Sequence, residues 1–284
     1  MSCSVCQGSG WKLLDTDDRT AVVRCDCYRD TLTERLLAEA RIPRRYAHCD
    51  LERFVTYDNE SLERACSQAR SVTERFPVVS KGLFLLGPPG VGKTHLAVAV
   101  LKQVIERKGA RGLFYDTREL LRVIRSTYGA DPLSRLTESD VLGPVVEADL
   151  LVLDDLGAEK TSEWVEETLN YIVNSRYSER RLTLFTSNYD IGEDATDPDS
   201  LQVRVGFRMY SRLHEMCEFI HMTGADYREL PVNGGVDDLK SLWKMRRRVS
   251  ALEKPAPGRG SRQLRARLPE GGADLKWSGG KAGY

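Results

Sequence analysis

Gly87-Pro88-Pro89-Gly90-Val91-Gly92-Lys93-Thr94 decides how this chain reads. The stretch fits Gly-x4-Gly-Lys-Thr. Its glycines let the backbone curl so that successive N–H groups face phosphate oxygens. The helix that follows turns its positive end toward the same anion. Lys93 then reaches the β- and γ-phosphates, the Thr94 hydroxyl ligates Mg²⁺, and His95 closes the nucleotide-binding set. Context gives the motif its weight. Gly82 to Leu86 reads as a short buried strand before it, and Thr94 to Arg107 as an apolar helix after it.

Working outward, Leu150-Leu151-Val152-Leu153 reads as a second buried strand, with Asp154 and Asp155 at its C-terminal end. Ligands of open α/β sheets bind at that edge. Asp154 is placed to hold Mg²⁺ and Asp155 to polarise the attacking water. Thr186-Ser187-Asn188 ends the next strand, where Asn188 either orients the lytic water or is a plain turn residue. Arg204, Arg208 and Arg212 are spaced i, i+4, i+8 in a stretch, 201–216, that reads as mostly helix. One of them could reach the phosphates of a neighbouring subunit, or all could form a solvated basic face. Strands alternating with helices over 80–230 predict a parallel α/β sheet covered on both faces.

GPPGVGKTHLA, LLVLDDLG, TSN and SRLHEMC together resemble the AAA+ ATPases of the DnaC/DnaI helicase-loader and IstB transposition-helper group. Ile42-Pro43-Arg44-Arg45-Tyr46 and Leu51-Glu52-Arg53-Phe54 resemble the lead-in segment of the same proteins. The resemblance implies a P-loop NTPase fold, AAA+ and RecA-like, without a lid domain. It implies Asp154 as metal residue, Asp155 as catalytic acid and Asn188 as sensor. It places the trans-acting arginine finger at Arg212, with Arg208 in reserve, and marks Arg228 as a further arginine of loaders. Without a lid, a neighbouring copy must complete the site, so self-association into an ATP-dependent oligomer is expected. In loaders and initiators the helix after the second strand contacts single-stranded DNA. Here that helix, Thr117 to Tyr128, carries Arg122, Arg125 and Tyr128, which either serve phosphate and base contact or form a solvated face with Tyr128 packed at its end.

Cys3-x2-Cys6 followed by Cys25-x-Cys27 reads as a four-thiolate Zn²⁺ module. Cys49, Cys66 and Cys217 lack such spacing and read as small core residues. Modules of this kind resemble those that dock DnaI-type loaders onto a replicative DNA helicase of the DnaB kind. That favours an ATP-dependent loader of a replicative helicase onto single-stranded DNA; the alternative is an IstB-like helper of transposition. A protein unfoldase would need a lid and an aromatic pore loop, and a pure binding switch would have no use for Asp155 and Asn188. The expected domains are a zinc module (1–29), a helical linker (30–79), the ATPase domain (80–230) and a basic, disordered tail (231–284).

Composition reads as that of an ordinary soluble globular protein. The 284 residues carry 42 basic and 42 acidic side chains. That balance hides a cancellation, because residues 246–284 hold ten basic and three acidic residues. The tail reads as a solvated extension or as a salt-sensitive DNA-contacting arm. No membrane or export segment stands out, so a cytoplasmic location is expected, and disulfides are not.

Overall fold

A computed structural model describes residues 3–16, 19–128, 137–160, 162–192, 197, 200–231 and 234–253. Trp11–Thr16 (β1) pairs antiparallel with Arg19–Arg24 (β2), setting Leu13 opposite Val22. Asp26–Glu39 (α1), a 3-10 turn at Arg44–Tyr46 and Glu60–Arg75 (α2) follow. Cys27 therefore sits in the first turn of α1, and the expected boundary at 29/30 falls inside a helix. The expected helical linker is helical only in part, since 47–59 holds no helix.

The chain from Gly82 onward then alternates strand and helix. Gly82–Leu86 (β3), Lys93–Lys108 (α3), Gly112–Asp116 (β4), Thr117–Ser126 (α4) and Glu138–Glu147 (α5) come first. Leu150–Asp154 (β5), Glu163–Ser178 (α6), Leu182–Ser187 (β6), Leu201–Val205 (α7), Phe207–Met216 (α8) and Cys217–His221 (β7) complete the sheet and its helices. The five strands are parallel in the order β4-β5-β6-β3-β7. Both faces are covered. Leu83 and Leu85 of β3 belong to the core that holds α2 and α3, while Phe84 and Leu86 belong to the core under α4 to α8. Alternation of period two delivers successive residues to opposite layers. Register brings the C-terminal ends of β3, β5 and β6 level, with Leu86 opposite Ser187 and Leu153 opposite Phe185.

Arg176 of α6 is a buried strut. It is 1% exposed and donates to the carbonyls of Val145, Val146, Ala148 and Leu182 and to Thr183 Oγ1. Its guanidinium thereby satisfies orphan carbonyls at the end of α5 and ties that helix to β6.

Two expectations need correction. The stretch 201–216 is not one helix. Gly206, at φ 79° and ψ 149°, separates α7 from α8, so Arg204 does not share a helical face with Arg208 and Arg212. The region from 231 is not wholly irregular. Val236–Glu253 forms α9, in which buried Leu239 and half-buried Leu242 and Trp243 pack on the core. Lys240 pairs with Asp58 at 2.6 Å and Arg246 with Glu229 at 3.0 Å. The remainder of the predicted tail lies outside the described residues. Among the described residues, no helix is long and apolar enough to cross a membrane.

Candidate functional site

The loop 87–92 joins β3 to α3. Gly92, at φ 100° and ψ 14°, caps the helix in the left-handed region, where a side chain would be strained. A Cβ there would also lie 2.7 Å from the Phe54 ring. The lead-in segment thus packs directly on the loop. On its other side Asp226 approaches Gly90 closely, and Tyr227 N–H donates to Gly90 O at 3.0 Å. This sets the 3-10 turn Tyr227–Glu229, and with it Arg228, beside the loop.

Lys93 is buried, and Nζ donates to Gly87 O (2.7 Å), Pro88 O (2.9 Å) and Asn188 Oδ1 (2.8 Å). Burial pulls its ammonium down to about 8, with Asp155 and Asp154 opposing. Asn188 Nδ2 donates to Asp155 Oδ1 at 2.9 Å, so one side chain links the loop lysine to the second carboxylate. Asp155 itself has φ 56° and its N–H donates to Thr186 Oγ1 at 2.9 Å. Asp154 is buried, and its Oδ1 accepts from Thr94 (2.9 Å) and from Thr186 (2.6 Å). Burial lifts its carboxyl to about 6, against the hydrogen bond from Thr186. Thr94 Oγ1 and Asp154 Oδ1 are thus direct neighbours, and a hydroxyl with a carboxylate is a donor set that suits Mg²⁺.

These predicted residues come together in one cluster. Others do not join it. His95 gives its ring to the lead-in segment, with Nε2 2.9 Å from Asp50 O. Arg204 lies over the Tyr189 ring at 4.0 Å and donates to Gly157 O. Arg208 and Arg212 line a groove with Glu163, Glu166 and Asn170 of α6. Arg122 and Arg125 are exposed on α4. Arg125 stacks 4.5 Å over Trp164, which Tyr128 meets edge-on at 6.1 Å while its hydroxyl donates to Glu138. No sequence motif marks Trp164 or Thr117, whose hydroxyl donates to Asp154 O at 2.9 Å. Both act across the fold rather than within a motif.

The four N-terminal thiols gather at the end of β2 and the start of α1, all within 4.8 Å of one another. Cys3 and Cys25 sulfurs are 3.9 Å apart and Cys6 and Cys27 sulfurs 3.3 Å. A tetrahedral ion with Zn–S of about 2.3 Å needs sulfurs about 3.8 Å apart, so this donor set fits Zn²⁺. The hydrogen bond between Cys6 and Cys27 pulls Cys6 down to about 6 and pushes Cys27 up.

The family described as IstB-like ATP binding protein matches residues 29–230. The replicative helicase loader DnaC of Buchnera aphidicola subsp. Baizongia pistaciae is 26% identical over 180 residues, 63% of this chain and 69% of that protein. The DnaC loader of Escherichia coli K12 is 28% identical over 148 residues, 52% of this chain and 58% of its own length. A crystal structure of the DnaC helicase loader is 34% identical, with a TM-score of 0.55 over 64% of this chain and all of that one.

Proposed function

The chain belongs to the IstB-like ATP binding protein family, and from that premise we propose that it loads a replicative DNA helicase onto single-stranded DNA, hydrolysing ATP at sites shared between copies. The observation that carries the reading is the cluster of Lys93, Asn188, Asp155, Asp154, Thr94 and Thr186. Each position of that cluster serves phosphoryl transfer to water. The loop N–H groups and Lys93 bind the phosphates, with Lys93 exchanging two carbonyl partners for phosphate oxygens. Thr94 and Asp154 would hold Mg²⁺, which when bound neutralises charge on the phosphates. Asp155 accepts the proton of the attacking water, and Asn188, already bonded to Asp155, orients it. Arg212 projects from α8 toward the groove beside α6 and not into its own chain's cluster, which suits service to a neighbour.

The cysteine cluster supports loading. In the cross-strand pair Leu13 and Val22, two apolar side chains stand 68% and 63% exposed on one face of the zinc module. Adjacent exposed apolar side chains of this kind are offered as the contact for a docking partner. Arg122, Arg125 and Tyr128 are proposed to contact the strand. The family match favours one other reading, an ATPase helper of transposition. Gel filtration of the Asp155→Asn variant with a purified hexameric helicase and ATP separates them. Co-elution is expected for a loader. Co-elution with a transposase in its place supports the helper.

A further inference from the structure

We infer that His48, Cys49 and His95 form a second metal site, distinct from the four-cysteine module, that takes a Zn²⁺-class ion. One ligand atom from each of the three lies within 4.8 Å of the other two. The residues arrive from separate places: His48 and Cys49 follow the 3-10 turn of the lead-in segment, and His95 sits in the first turn of α3. Two imidazoles and a thiolate are the donor chemistry of zinc rather than of Mg²⁺ or Ca²⁺. Three protein ligands leave a fourth position for water.

The surroundings hold the ligands in place without an ion. Lys102 Nζ donates to Ala47 O (2.7 Å) and Cys49 O (3.0 Å), pinning the backbone that bears His48 and Cys49. Asp50 N–H lies 3.2 Å and Asp50 O 2.9 Å from His95 Nε2, so main chain steadies that ring. Backbone contacts of this kind orient ligating histidines in metal sites. The His48 ring stands edge-on to His95, with centroids 6.0 Å apart. Cys49 is buried at 1% exposure, whereas His48 is exposed and gives the ion its way in. On binding, Cys49 releases its proton to solvent and the thiolate carries the coordination. The ion would clamp the lead-in segment to α3 one residue beyond Thr94, where Phe54 packs on both Gly92 and His95.

The test counts metal in the full chain. Wild type, His48→Ala and Cys49→Ser are each incubated with excess Zn²⁺, dialysed, and measured by atomic absorption. Each variant is expected to hold one equivalent less than wild type. His48 is exposed, so its replacement leaves the fold intact, as circular dichroism checks. Co²⁺ substitution supplies the second reading. Cys49→Ser is expected to lower the thiolate-to-cobalt charge-transfer band by one thiolate's share, and His48→Ala to shift it. An unchanged zinc count or an unchanged cobalt spectrum in either variant overturns the site.

Discussion

Asp154 shows at the residue scale what the nucleotide site costs the fold. Its carboxyl is buried and lifted from 3.8 to about 6. The folded state thus binds the proton more tightly than the unfolded one. Ionised Asp154 destabilises the nucleotide-free protein above pH 6, and the cost fades as pH falls from about 6 toward 4. Asp154→Asn keeps an acceptor for Thr94 and Thr186 without the charge. It is expected to stabilise the nucleotide-free protein by about 1–3 kcal/mol at pH 7.5 in urea titration and to abolish Mg²⁺-dependent ATP hydrolysis. A variant less stable than wild type would contradict this account. Asp155→Asn is expected to slow phosphate release about 10²–10⁴-fold while a fluorescent ATP analogue still binds. Unchanged turnover would remove Asp155 from the role of base. Lys93, Thr94, Asp154, Asp155 and Asn188 were legible in the sequence because each ends or follows an apolar strand. Thr117, Thr186 and Asp226 were not legible as partners, since strand register and a returning loop bring them to the site.

At the scale of elements, α8 carries Arg208 and Arg212, the residues proposed to serve a neighbouring copy. Gly206 starts it at φ 79°, and a Cβ there would lie 3.0 Å from Glu166 Oε1. The break turns Arg208 and Arg212 toward α6 and separates them from Arg204. The periodic spacing of arginines could not show this, because one glycine resets the helical phase. Arg212→Ala is expected to lower assembly-stimulated ATP turnover by about 10³-fold or more, with nucleotide binding retained. A loss confined to Arg208→Ala would move the finger to that residue. The four-cysteine cluster is proposed to be held by Zn²⁺. A chelator is expected to open residues 3–27 to protease while 80–230 stays resistant, and equal resistance before and after chelation would count against the module. The helix α9 did carry a sequence signal. Leu239, Leu242 and Trp243 repeat at i, i+3, i+4, but charged neighbours concealed the stripe.

On the scale of the whole molecule, a parallel sheet covered on both faces followed from alternating strand and helix patterns, whereas the order β4-β5-β6-β3-β7 came only with the structure. Those patterns are local, and right-handed crossovers leave few other arrangements. The contacts of the lead-in segment and of 226–229 with the phosphate loop are long-range and had no local mark. Truncation after Glu253 removes seven basic and two acidic residues but spares α9. Single-stranded DNA affinity is expected to fall, with a shallower dependence on salt, as measured by fluorescence anisotropy. The central claim, loading, is tested most directly on a closed single-stranded circle, which has no end to thread. Purified helicase is mixed with the circle, ATP and this chain, and helicase retained on the circle is counted after gel filtration. The wild-type chain is expected to raise retention, and the Asp155→Asn and Arg212→Ala variants are expected not to. Helicase retention that is the same with and without the chain would contradict the claim.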